Sequence, residues 1–99
     1  MPMNPDPSVG RVSRVFRVLG DETRCTIVYM LATAERCTCE LAQALGITMP
    51  AVSHHLRILK QARLVDTRQE GKHVYYRLAD EHVEALLAIA REHELELTE

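Results

Sequence analysis

Residues 39–59, Cys39-Glu40-Leu41-Ala42-Gln43-Ala44-Leu45-Gly46-Ile47-Thr48-Met49-Pro50-Ala51-Val52-Ser53-His54-His55-Leu56-Arg57-Ile58-Leu59, read as two short helices and the turn between them. In the first, 39–45, Leu41, Ala42 and Leu45 give an apolar side. Gly46 supplies its stop, because glycine tolerates the left-handed conformation in which helices commonly end. Thr48 caps the second helix, and Pro50 falls in the first turn, where a missing N–H leaves no hydrogen bond unmade. Val52, Leu56 and Leu59 form a stripe for burial. Helix, glycine-containing turn and helix is the helix-turn-helix pattern.

Toward the C-terminus, 64–69 and 73–78 read as two strands, the second alternating Val74, Tyr76 and Leu78 with His73, Tyr75 and Arg77. Glu70-Gly71 between them suits a tight hairpin, which makes a wing. Asp80 then caps a helix reaching toward Glu96, with Val83, Leu86, Leu87, Ala90 and Leu97 on one arc. Toward the N-terminus, Val9, Val12, Val15, Phe16 and Leu19 recur at helical spacing up to Gly20. Asp21 caps a further helix carrying Ile27, Val28, Met30 and Leu31, which should end near Ala34. Residues 1–8 hold three of the four prolines and read as a flexible arm. The expected fold is mainly α with a β-hairpin wing, a winged helix-turn-helix, in one domain over 9–99.

Ninety-nine residues with 46% hydrophobic content allow one modest core. With three Tyr, one Phe and no Trp, such a chain commonly gains stability by oligomerising, so a homodimer is expected. No apolar run approaches membrane-spanning length, and the first seven residues lack the features of a signal peptide, which points to the cytoplasm. Three cysteines, two of them in Cys37-Thr38-Cys39, fit metal or redox chemistry better than a structural disulfide.

The net charge of −2 is unevenly spread. Residues 54–78 hold six basic side chains against two acidic, a balance of +4, whereas 80–99 hold seven acidic and one basic, a balance of −6. The first segment can meet phosphate and the second can hold cations. With Val52, Leu56 and Leu59 turned inward, Thr48, Met49, Pro50, Ser53, His54 and Arg57 are the candidates for a major-groove contact. Lys60, Arg68 and Lys72 are candidate phosphate contacts. A solvated basic face is the alternative for scattered charge alone; the helix-turn-helix and wing around it favour DNA.

The run 41–59, together with Gly71-Lys72-His73-Val74-Tyr75-Tyr76-Arg77-Leu78 and Leu19-Gly20-Asp21-Glu22-Thr23-Arg24, resembles the ArsR/SmtB metal-sensing repressors over residues 12–96. The resemblance implies a homodimer joined through its first and last helices, with the fourth helix reading operator DNA. Met49-Pro50 departs from the polar residues common at that place.

Asp80, His82, His93 and Glu96 match the D-x-H-x10-H-x2-E pattern of the family's last-helix zinc site. On one helix, His82 and His93 point nearly the same way but stand roughly 16 Å apart along the axis. A single helix cannot close such a site, whereas two antiparallel copies related by a two-fold axis bring Asp80 and His82 of one beside His93 and Glu96 of the other. Two imidazoles and two carboxylates suit Zn(II). Taken singly, each residue also fits a bland role, Asp80 as a helix cap, Glu96 as a solvated tail residue and the histidines as surface groups.

Cys37-Thr38-Cys39-Glu40-Leu41 resembles the family's C-x-C-acidic-Leu thiolate site, whose soft sulfurs favour Cd(II), Pb(II), As(III) or Cu(I). No cysteine precedes Cys25, and position 42 is Ala, so the set falls short of the family's usual complement. Cys25 is either a third ligand or a core residue. The expected activity is a repressor that leaves DNA on binding metal and so derepresses efflux or sequestration genes, and the resemblance implies His93 as a candidate relay to the recognition helix. A thiol-based redox or persulfide sensor of the same fold is the alternative, and no arrangement of nucleophile, base and orienting group suggests an enzyme.

Overall fold

The computed structural model describes residues 6–97, of Leu97 the backbone alone. The described elements run α1 (Val9–Leu19), α2 (Glu22–Thr33), β1 (Arg36–Cys37), α3 (Thr38–Leu45), α4 (Met49–Gln61), β2 (Val65–Glu70), β3 (His73–Leu78) and α5 (Glu81–Leu97). The mainly helical fold with a hairpin wing is therefore present. Of the expected arm, residues 1–5 lie outside the described part; in 6–8, the Asp6 carboxylate accepts from the Ser8 N–H at 2.9 Å and leads the chain into α1.

Helix starts follow the capping residues. The Asp21 carboxylate accepts from the Arg24 N–H at 2.9 Å, Thr48 Oγ1 from the Ala51 N–H at 3.2 Å, and Asp80 from the His82 and Val83 N–H groups at 2.9 and 3.2 Å. Each satisfies donors that a helix start leaves open. Gly46 ends α3 at φ +68 and returns its N–H to the Ala42 carbonyl.

The sheet has the antiparallel order β1-β3-β2. Pairing of Glu70 with His73 places the turn at Gly71-Lys72, one residue later than expected, with Gly71 at φ +61. The strand β1 has no counterpart among the sequence expectations; its two residues pair with Tyr75 and Tyr76 of β3 and tie the start of α3 to the wing.

Ile27 and Val28 of α2, Leu41 of α3 and Val52, Leu56 and Leu59 of α4 are completely buried, joined by Val83 and Leu87 of α5. Truncating Ile27 or Leu56 to alanine in such a core costs about 2–5 kcal/mol. α5 rests on α2, where Tyr29 Oη donates to the Leu87 carbonyl at 2.8 Å and the Arg91 guanidinium lies 4.4 Å over the Tyr29 ring. No helix among the described residues is long and apolar enough to cross a membrane.

Candidate functional site

The recognition helix α4 buries Val52, Leu56 and Leu59 and leaves Met49, Pro50, Ser53, His54, Arg57 and Lys60 exposed, with Thr48 at its cap. Arg57 reaches back to His54 Nδ1 at 3.1 Å, so these two side chains form one polar group on that face. The half-buried His55 points the other way, with Nδ1 3.4 Å from Arg24 and 3.9 Å from the Asp21 carboxylate, which ties α4 to the start of α2. Hydrogen bonding from the Arg24 backbone, reinforced by the charges of Arg24 and His55, holds the Asp21 carboxyl below the usual range.

The wing cations differ from one another. Arg68 contacts Glu35 at 3.1 Å and Glu70 at 2.8 Å and lies 5.1 Å over the Tyr75 ring. Arg77 stands 3.8 Å from both Glu35 and Asp66. Arg68 is thus neutralised by Glu70 of the wing and by Glu35, which precedes β1. Glu35, a residue that no motif or spacing singles out, gathers both arginines. Lys72 stands exposed at the hairpin tip.

Asp80, His82, His93 and Glu96 are all exposed. His82 Nδ1 lies 3.6 Å from Asp80 Oδ1, and its side chain is 85% exposed, so these two form the near half of a donor set. His93 and Glu96 lie along α5, three turns away, as helix geometry requires. No three His, Cys, Asp or Glu groups come together within the chain among the described residues. Around α5, His82, Ile89, His93 and Glu96 share one side, and Ile89 is 63% exposed. Phe16, Val9 and Val12 of α1 are exposed apolar groups too. A 250 Å³ cavity lined by Phe16, Cys25, Leu86 and Ala90 lies between α1 and α5.

Cys37 and Cys39 flank the first residue of α3. The Glu40 carboxylate accepts from the Cys37 N–H at 3.0 Å, and hydrogen bonds from that backbone and thiol hold the Glu40 carboxyl below its ordinary range. Cys39 is exposed. Cys25 does not join them: it sits near the start of α2, and eight helical residues, roughly 12 Å, separate it from the end at Thr33 that precedes Cys37. Cys25 is half-buried and lines the cavity between α1 and α5, and burial pushes its thiol pKa up. Within one chain Cys25 therefore stands apart from Cys37 and Cys39.

Similarity to known proteins agrees with this architecture. The profile of the bacterial regulatory proteins of the arsR family matches residues 21–67. The transcriptional regulator KmtR of Mycobacterium tuberculosis is 46% identical over 84% of this chain, and the chain spans 64% of its length. A CadC homolog of Staphylococcus aureus, a cadmium resistance transcriptional regulatory protein, is 42% identical over 87% of the chain and 72% of its own length. The homodimeric winged helix-turn-helix domain Mb0332 of Mycobacterium bovis superimposes with a TM-score of 0.88 at 33% identity, covering all of this chain and 94% of that one. The chain belongs to the arsR family of bacterial transcriptional regulators, DNA-binding proteins and not enzymes.

Proposed function

We propose that the chain is a homodimeric, metal-responsive repressor that holds operator DNA when metal-free and releases it when Zn(II) bridges two copies of α5. The observation that carries this reading is the divided donor set: Asp80 and His82 stand at one end of an exposed side of α5, and His93 and Glu96 at the other. A second copy running antiparallel supplies the missing half, and exposed Ile89 between the two ends gives that copy an apolar seam. The donor set fits zinc, since two imidazoles and two carboxylates make a four-coordinate N/O site.

The apolar groups Val9, Val12 and Phe16 extend the seam onto α1. In the dimer, each protomer presents α4 to a half-site, with Thr48, Met49, Pro50, Ser53, His54 and Arg57 toward the bases and Lys60 and Lys72 toward phosphates. Arg68 joins them only when Glu35 or Glu70 releases it. Bound zinc fixes the angle between the two α5 helices, and His93 passes that state toward α4. Such coupling amounts to about 1–3 kcal/mol.

Cys37 and Cys39 form a second, softer site for Cd(II), Pb(II), As(III) or Cu(I), placed where β1 joins α3 to the wing. A repressor of this kind acts in the cytoplasm on genes for metal efflux or sequestration. The test is fluorescence anisotropy of a labelled duplex from upstream of the protein's own gene, titrated with metal-free protein and then with Zn(II). Tight binding reversed by zinc supports the reading; binding that zinc leaves unchanged overturns it.

A further inference from the structure

Two helices of this molecule end in the same way but with different residues. The residue after α3 is Gly46 at φ +68, whereas the turn after α4 places Arg63 at φ +59, its N–H bonded to the Lys60 carbonyl at 3.0 Å. Arg63 is the one non-glycine residue with positive φ among those described. Left-handed backbone is unfavourable for a side chain with a Cβ, which is why helix stops prefer glycine. Strain held at one position is a pointer to function when the surroundings use that side chain.

They do so here. Arg63 lines a 410 Å³ hollow with Arg11 and Arg14 of α1, Val15, and Gln61 and Ala62 at the end of α4. Three arginines line this hollow, and no Asp or Glu among the described residues lines it. The wing arginines Arg68 and Arg77, by contrast, are held by Glu35, Asp66 and Glu70. Arg11 and Arg14 lie on the side of α1 opposite Val9, Val12 and Phe16, so a partner packed on that apolar side leaves the hollow open. Gln61 continues the exposed line of His54 and Arg57 along α4.

We infer that Arg11, Arg14 and Arg63 form a binding site for a phosphate oxyanion, and that the strained backbone at Arg63 is kept because it aims a guanidinium into that site. Planar guanidinium forks match phosphate oxygens, and three of them around one hollow leave an uncompensated positive field that such a group neutralises. The phosphate is either a backbone phosphate of the DNA held by α4, which the continuity with Gln61 favours, or a free phosphate ligand. The DNA source rests on the function proposed above; the oxyanion chemistry does not.

The experiment uses the full metal-free chain and the variants Arg63→Gly, Arg63→Gln and the double variant Arg11→Gln/Arg14→Gln. One arm measures anisotropy of the upstream duplex over a series of KCl concentrations. The other measures heats of binding of inorganic phosphate and pyrophosphate by calorimetry in a phosphate-free buffer. For a DNA phosphate, the slope of log K against log salt falls by about 0.9 for each phosphate that the variant no longer neutralises, and most of the drop in affinity shows at low salt. For a free phosphate, pyrophosphate binds the parent protein, the arginine variants lose that heat, and the DNA salt slope is unchanged.

In either case Arg63→Gly melts a few degrees above the parent at equal concentration while binding phosphate more weakly, because it removes the strain together with the cation. A parent protein that ignores DNA overturns the proposed function, while the calorimetric arm still decides the site. Unchanged salt slopes together with absent pyrophosphate heat, in variants that melt as expected, overturn the inference.

Discussion

The two candidate metal regions are built on opposite plans. Cys37 and Cys39 stand within three residues of each other, fixed by the pairing of β1 with β3 and by the Glu40 carboxylate on the Cys37 backbone. Asp80, His82, His93 and Glu96 are spread along α5, and one chain brings together no more than the Asp80–His82 pair at 3.6 Å among the described residues. The first region is organised by its own chain; the second, in the function proposed above, is completed by a symmetry partner. A local pair of thiolates can bind metal in a monomer, but a divided N/O set makes metal binding report on the dimer. In the function proposed above, the second plan acts through the angle between two recognition helices, and the first through the junction of β1 and α3 within one chain.

The largest expected effect breaks the dimer. Phe16→Glu places a charge on the exposed apolar side of α1 and should give monomers by sedimentation. Tight zinc binding at α5 should vanish in those monomers, while cadmium binding by Cys37 and Cys39 persists. Zinc held tightly by the monomer would erase the contrast between the two regions.

A single ligand comes next. His93→Gln should weaken zinc by more than the about 10–100-fold that outer partners of metal ligands contribute. Zinc should then no longer release the duplex, although the metal-free variant binds it normally. Cys37→Ser/Cys39→Ser is expected to act on the other side alone, weakening the response to Cd(II) and As(III) and sparing that to Zn(II). Unchanged responses to both thiophilic ions would remove the thiolate site.

The smallest effect sharpens how a one-chain region is held. Asp21 caps α2 and faces Arg24 of that helix and His55 of the recognition helix. Replacing it by alanine should cost about 0.5–2 kcal/mol at neutral pH. Because the folded carboxyl titrates below its ordinary value of 3.8, its contribution is fully present above that value and is lost as pH falls through the lower folded value. Urea melts of parent and variant should therefore converge as the solution is acidified from pH 5 to about pH 3. A constant gap over that range would assign the cap no charge-dependent share.

Most of the fold was legible because the signals were local. Gly46, Thr48 and Asp80 mark helix ends in the sequence and do so in the structure. Strand β1 was not legible: two residues carry no periodicity, and β1 exists because β3 is there to pair with it. The turn fell one residue late for a similar reason, since cross-strand register and not the position of Gly71 alone sets it. That His82, His93 and Glu96 share one exposed side of α5 was readable from spacing, because a helix converts spacing directly into direction. The capture of Arg68 by Glu35 joins positions 33 residues apart, and the hollow formed by Arg11, Arg14 and Arg63 joins α1 to the end of α4. Neither leaves a trace in any short window of sequence.

The most direct test of the two-chain zinc site uses two defective proteins. His82→Gln and His93→Gln each spoil both sites of their own homodimer. In a heterodimer of the two, one site loses both histidines and the other keeps both. Zinc titration of heterodimers purified through two different affinity tags should recover tight binding at one ion per dimer, absent from either parent variant. Failure to recover any tight site, with the heterodimer intact by sedimentation, would contradict a zinc site shared between the two copies of α5.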